Sequence, residues 1–326
     1  MEKVVVAEHL KKSYRVKTDI ATLFSKSSNN FIRAVDDVSF DMFGGEILGL
    51  VGESGSGKTT TGRLLVRLEE PDSGEIYVNS IKLSSLRVKE LKTFYRNVQM
   101  IFQDPYESIN PRFTVLETVL EPVRVQHLVP PDERNDLAAS FLERSGLKPS
   151  LNYLHKFPHQ LSGGERQRLS IARALVMQPK VLVADEPVSM LDVSIKAGIL
   201  NLLKSLSRDF QVAILYISHD LSTVKYLCDR LIIMYLGKFM EIGYADSVID
   251  KGKHPYTMAL RAAIPIPDPS FKRARTISNN ITEKSLHVIQ GCRYRTECKY
   301  AMDICSKIEP VLKKIGEKHY VACHLC

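Results

Sequence analysis

Residues 52–59 read GESGSGKT, directly after the apolar run ILGLV and directly before TTTGRLLVRL, which has the spacing of a helix. This is the pattern G-x-x-x-x-G-K-[ST], set between a strand and a helix as its chemistry requires. Few folds accept such a loop. Its glycines let the chain wrap with the amides pointing inward, which makes an anion nest at a helix N-terminus. The expected nucleotide contacts are Gly52, Glu53, Ser54, Gly55, Ser56, Gly57, Lys58, Thr59 and the following Thr60. Lys58 is expected to neutralise the β- and γ-phosphates, and Thr59 to place its hydroxyl on Mg²⁺.

Three runs, ILGLV, VLVAD and AILYIS, are continuously apolar and rich in β-formers. Strands buried on both faces read this way, so an α/β fold with a parallel sheet covered by helices is expected. VLVADEP carries Asp185 to the carboxyl edge of that sheet, where nucleotides sit in such folds. Asp185 is expected to hold the magnesium through its water shell, and Glu186 to orient and polarise the attacking water. His219, after the third run, is placed to bond a γ-phosphate oxygen. VVVAEHL and AVDDVSFDM read as further strands, with a Ser-, Asn- and Lys-rich exposed excursion between them. Residues 106–160 carry helical periodicity and read as a helical insert. After His254 the prolines suggest a linker, then a basic polar stretch and a cysteine-rich tail.

Hydrophobic residues make up 44% of the 326 and charged residues 25%, enough to bury a real core. No apolar run approaches the roughly 18 residues that span a bilayer, and the charged start is unlike a signal peptide, so a cytosolic protein is expected. The net charge of +8 is spread along the chain and reads as a solvated basic surface. Cys228 stands alone as a small buried hydrophobe. The other five cysteines all follow residue 291.

LSGGERQR begins at Leu161. Ser162 and Glu165 fit the capping box S-x-x-E, which fixes a helix start. Gly163 and Gly164 keep that start free of side chains, so a phosphate can approach the backbone. The positive helix end then favours an anion by about 0.3–2 kcal/mol. An arginine finger is the other common way to stabilise the outer phosphate oxygens.

With the phosphate-binding loop, VLVADEP and SHD, this stretch resembles the nucleotide-binding subunits of ABC transporters, over roughly residues 4–250. The resemblance implies a P-loop NTPase (RecA-like) core with an antiparallel β subdomain and a helical subdomain, about 106–170. It implies two subunits head to tail, the signature Leu161, Ser162, Gly163, Gly164 and Glu165 of one facing the ATP held by the other. It places Tyr14 against adenine and Gln103 at the metal and attacking water. It places Ser189, Leu191 and Asp192 in the loop between the two sites. Glu165 departs from the family, which most often has glutamine there. The capping box accepts either, so Glu165 is expected to turn back on the Ser162 backbone.

MIFQDPYESINPRFTV and HPYTMALRAAIP resemble the oligopeptide/dipeptide import branch, as does a C-terminal extension over 251–326. That resemblance implies an import motor on the cytoplasmic face of the membrane. Its partners would be two transmembrane permeases, an extracytoplasmic binding protein and a second ATPase, a paralogue or a second copy. Relatives of the branch import oligosaccharides or nickel, and the ATPase never touches the cargo. The tail spacing C-x5-C-x6-C-x17-C gives Cys292, Cys298, Cys305 and Cys323. The branch resemblance implies a [4Fe–4S] cluster there. Zinc, with His324 adjacent, and a structural or disulfide role remain open. A nucleic-acid-linked ABC ATPase would carry long coiled coils before the signature, and no heptad run is present. An unrelated P-loop kinase would lack LSGGE.

Overall fold

The computed structural model describes residues 2–15, 31–264 and 290–326. The excursion expected before residue 31 lies outside them, as do the later part of the stretch expected as a linker after His254 and the basic polar stretch that follows, 265–289. The chain begins with β1 (Lys3–Arg15), β2 (Phe31–Phe43), β3 (Ile47–Val51) and α1 (Lys58–Leu65). Next come β4 (Ser73–Val78), β5 (Ile81–Lys82), α2 (Val88–Asn97), β6 (Val98–Ile101) and α3 (Pro105–Ser108). Then follow α4 (Val115–Gln126), α5 (Arg134–Arg144), α6 (Gly163–Leu175), β7 (Val181–Asp185), α7 (Val193–Phe210) and β8 (Ala213–Ser218). The last elements are α8 (Leu221–Leu227), β9 (Arg230–Tyr235), β10 (Lys238–Tyr244), α9 (Ala245–Lys251), α10 (Pro255–Ala262), α11 (Asp303–Lys307), β11 (Lys313–Gly316) and β12 (His319–Val321).

Two compact units share this chain. The first comprises Met1–Val5, Met42–Ile47 and Val78–Ile217. Its strands β6, β7 and β8 run parallel, with Val98 opposite Val181 and Val181 opposite Ala213. All residues of β7 and β8 are buried, as their unbroken apolar runs require. Each fully buried aliphatic side chain there contributes about 1.5–3 kcal/mol. The expected helical insert is present as α3 to α6. Capping boxes start two of its helices: Thr114 with Glu117 on α4, and Ser162 with Glu165 on α6. Arginines of α6 tie it to its neighbours. Arg166 Nε donates to Pro158 O at 2.6 Å, Arg168 Nη1 to Ser145 O at 2.7 Å, and Arg173 Nη2 to Glu121 Oε2 at 2.8 Å.

The second unit comprises Val6–Asp41, Leu48–Tyr77 and Ser218–Cys326. Here β3, buried throughout, pairs parallel with β9, Leu48 opposite Arg230 and Val51 opposite Ile233. Antiparallel pairs then run from β9 to β10, from β10 to β12 and from β12 to β11. A separate sheet has the order β2-β1-β4. Where the prolines suggest a linker after His254, the structure has helix α10. Pro255 occupies its first turn, where a missing N–H costs nothing, and His254 Nδ1 caps it by accepting from Tyr256 N at 3.0 Å. A buried carboxylate holds the turn before it: Glu241 accepts from Lys253 N at 2.9 Å and His254 N at 3.0 Å, and meets His319 Nε2 at 2.7 Å.

Candidate functional site

In the second unit, the strand β3 ends and the chain turns through 52–57 into α1. Gly57 takes φ 105°, ψ 3°, and a Cβ there would lie 1.9 Å from Ala34 O. Left-handed backbone and close approach together demand glycine. Ser54 and Gly55 form the exposed crest, while Gly52, Ser56 and Lys58 are buried. The Lys58 ammonium lies along the loop, donating to Gly52 O at 2.8 Å and Glu53 O at 2.7 Å. Thr59 and Thr60 occupy the first turn of α1. Tyr14, at the end of β1, keeps its ring partly exposed, and its hydroxyl bonds Glu69. Burial, then the Glu69 contact, pushes its pKa up, while a hydrogen bond with Thr60 opposes them. Tyr14 thus lies beside the helix that leaves the phosphate-binding loop. His219 is exposed, between Ser218 and the α8 cap, where Asp220 Oδ1 accepts from Ser222 N at 2.9 Å.

In the first unit, β7 delivers Asp185 to its end, 3% exposed. Glu186 follows in left-handed backbone, φ 44°. For a non-glycine residue this is a strained conformation, and such strain collects at functional sites. Surrounding bonds hold it: Glu186 N donates to Ile217 O at 3.0 Å, and Ser189 Oγ to Glu186 O at 3.0 Å. Gln103 Nε2 donates to Glu186 Oε2 at 3.2 Å, so these two expected catalytic residues are in contact. A carboxylate so placed, with an amide beside it, is equipped to hold and polarise a water.

The helix tip at Ser162 has the expected cap. Ser162 Oγ accepts from Glu165 N at 3.3 Å, and Glu165 Oε2 accepts from Ser162 N at 2.8 Å. The backbone hydrogen bond at Ser162 lowers the Glu165 pKa, against an opposing effect of burial. Tyr153, which the sequence gives no reason to single out, donates its hydroxyl to Glu165 Oε1 at 3.1 Å. The two glycines differ. A Cβ on Gly163 would meet only Leu191 Cδ2, at 3.8 Å, whereas one on Gly164 would lie 2.7 Å from Ile195 Cγ2. Gly163 leaves the surface open, and Gly164 also lets α6 pack against the start of α7. Leu191 brings the 189–192 loop to this tip, with Met190 mostly exposed.

Cys292, Cys298, Cys305 and Cys323 line one small pocket in the tail, with His254, Tyr294 and His324. All carry free thiols. Burial pushes the Cys292 thiol up to about 11 and raises Cys298 and Cys323. Cys292 N donates to Cys305 O at 2.8 Å, and His324 Nε2 lies 2.9 Å from Ile308 O. Among the described residues, no three His, Cys, Asp or Glu side chains are arranged to hold a metal ion.

The ABC transporter family model matches residues 35–189, and that of the oligopeptide/dipeptide transporter C-terminal region matches 240–305. The chain is 40% identical over 326 residues to the oligopeptide transport ATP-binding protein OppF of Haemophilus influenzae, covering 99% of this chain and 97% of that protein. It is 44% identical over 305 residues to YkfD of Bacillus subtilis, named a putative oligopeptide transport ATP-binding protein, covering 93% and 92%. Among solved structures, the ATP-binding cassette MJ0796, as a post-hydrolysis dimer bound to ADP and Pi, superposes with TM-score 0.64 at 28% identity. That match covers 74% of this chain and 98% of the other.

Proposed function

This chain belongs to the ABC transporter family, in its oligopeptide/dipeptide branch, and from that premise we propose that it is the ATP-hydrolysing subunit of a peptide importer. No helix among the described residues is long and apolar enough to cross a membrane; in this reading partner permeases pass the cargo. An extracytoplasmic binding protein would deliver the cargo, and the ATPase would sit on the cytoplasmic face.

The observation that carries the turnover reading is the strained Glu186, hydrogen-bonded by Gln103 at the end of a buried strand. In this reading Lys58 and the loop amides hold the ATP phosphates. Thr59 and Asp185 supply hard oxygen donors of the kind Mg²⁺ prefers, and the ion would neutralise charge on the β- and γ-oxygens. Glu186 orients water, with Gln103 fixing the carboxylate. His219 bonds a γ-phosphate oxygen, and Tyr14 stacks on adenine. Ser162 and the amides of Gly163 and Gly164 close the site of a second ATPase, and the 189–192 loop lies between the two sites. Each complete site takes the phosphate-binding loop of one subunit and the tip of the other.

For the tail we propose a [4Fe–4S] cluster on Cys292, Cys298, Cys305 and Cys323, supported by their lining one pocket. One zinc would require four sulfurs converging at about 2.3 Å from a single point. Four cysteine thiolates would also hold a [4Fe–4S] cluster. Its effect would be to cross-link the tail, with release of the thiol protons on binding. Iron and acid-labile sulfide in stoichiometric amounts after anaerobic purification would support it, and stoichiometric zinc without sulfide would overturn it.

The import reading is tested by deleting the gene and following uptake of labelled peptides, oligosaccharide and nickel. Loss of peptide uptake alone, restored by the native chain and not by Glu186→Gln, is expected. Undiminished peptide uptake, with loss of sugar or nickel uptake, would contradict it.

A further inference from the structure

The phosphate-binding loop has a partner that its motif does not predict. Glu53 N donates to Tyr256 Oη at 3.0 Å, across 203 residues of sequence. The carbonyl in the same peptide plane as Glu53 N is Gly52 O, which accepts from Lys58 Nζ at 2.8 Å, and the next carbonyl, Glu53 O, accepts from Lys58 Nζ at 2.7 Å and from Ser56 N at 3.2 Å. One peptide plane is therefore fixed at one end by Tyr256 and fixes the nucleotide-binding lysine at the other.

Tyr256 is itself held firmly. It is 1% exposed, on the first turn of α10, and its ring lies 4.6 Å from that of Tyr235 and 5.2 Å from that of Tyr294. The turn before it hangs on buried Glu241, which His319 of β12 meets at 2.7 Å. A second route reaches the loop as well. Buried Arg293 pairs with buried Asp36, Asp36 N donates to Gly237 O at 2.9 Å, and Gly237 N donates to Ser56 O at 2.9 Å. Both routes start in the C-terminal residues and end on backbone atoms of the loop. On the loop, the Glu53 amide is anchored by Tyr256, while the side-chain Oε1 of the same residue is buried without a hydrogen-bond partner.

We propose that Tyr256 is a positioning residue for nucleotide binding: its hydroxyl holds the Glu53 peptide so that Lys58 and the loop amides are preset for the phosphates, which makes the C-terminal extension part of the nucleotide site. The proposal rests on the reading of 52–59 as the ATP-binding loop. Removing the hydroxyl leaves a loop amide unpaired and lowers the fraction of loops in the binding conformation. Apparent affinity falls by the same fraction.

The test uses the full-length protein and a fluorescent MgATP analogue. Tyr256→Phe is expected to weaken binding by about 5- to 30-fold. Tyr235→Phe removes a neighbouring hydroxyl, the one that donates to Glu297 at 3.0 Å. It is expected to lower the melting temperature without weakening nucleotide binding. Equal weakening by both variants, or parental affinity in Tyr256→Phe, would overturn the proposal. If Tyr256→Phe does not fold, hydrogen exchange in the native protein decides: a protected Glu53 amide supports the bond, and one exchanging at the rate of the exposed Ser54 refutes it. Should the native protein itself fail to bind the analogue, the ATP-loop reading has failed, not the role of Tyr256.

Discussion

Glu165 supports its helix tip through two bonds, and replacing it separates their contributions. Its carboxylate accepts from Ser162 N at 2.8 Å and from the Tyr153 hydroxyl at 3.1 Å. Glu165→Ala removes both. Loss of an N-terminal cap costs about 0.5–2 kcal/mol. Ser162 is exposed, so water can replace its lost bond, and the two together should cost about 1–2 kcal/mol. For a chain of this size that is a fall of about 1.5–3 °C in apparent melting temperature. Glu165→Gln keeps one acceptor oxygen, for Ser162 N, while its amide NH2 can donate to the Tyr153 hydroxyl oxygen, so it should cost a few tenths of a kcal/mol. The native pKa of Glu165 is depressed, so the advantage of glutamate over glutamine is complete above the ordinary carboxylate range. It is lost as pH falls through the lowered native value. Melting curves of the three proteins at neutral pH and near pH 4 check this. The expected order at neutral pH is native, then Gln, then Ala, with the native and Gln proteins converging in acid. Equal melting of all three at neutral pH, or a native-to-Gln gap that widens in acid, would refute the reasoning.

Glu186→Gln should retain MgATP binding and lose about 10²–10⁴ in turnover, measured by phosphate release. Gly57→Ala places a Cβ 1.9 Å from Ala34 O at φ 105°, so nucleotide binding by titration should be abolished even where the chain folds. Arg293→Met leaves the buried Asp36 carboxylate with the longer pairs to Arg33 Nη1 at 3.4 Å and Lys238 Nζ at 3.8 Å. It should destabilise by about 3–5 kcal/mol in chemical denaturation, and Arg293→Met with Asp36→Asn should recover much of the loss.

Much of the site is legible because its chemistry is local. The loop 52–59, the cap at Ser162 and the strand ending in Asp185 each lie within a few consecutive residues, so spacing alone reports them. Three buried strands were readable for the same reason: they carry no polar alternation. What the sequence hides is contact between distant segments. Nothing near Tyr256 or Glu53 announces their bond, and nothing near Gly164 announces Ile195. Pro255 misleads because a proline that ends a helix and one that begins it are the same letter; only the cap by His254 distinguishes them. The four tail cysteines are visible as a cluster in sequence, but their arrangement around a pocket is tertiary.

The central claim is that two ATPases share each nucleotide, one offering the loop at Lys58 and the other the capped tip at Ser162. A structure of the Glu186→Gln protein closed on MgATP with its companion ATPase tests it most directly. The account predicts that Ser162 Oγ and the Gly164 amide lie within about 2.7–3.2 Å of γ-phosphate oxygens bound by the companion. A closed assembly in which that tip faces solvent, or contacts no phosphate, would contradict it.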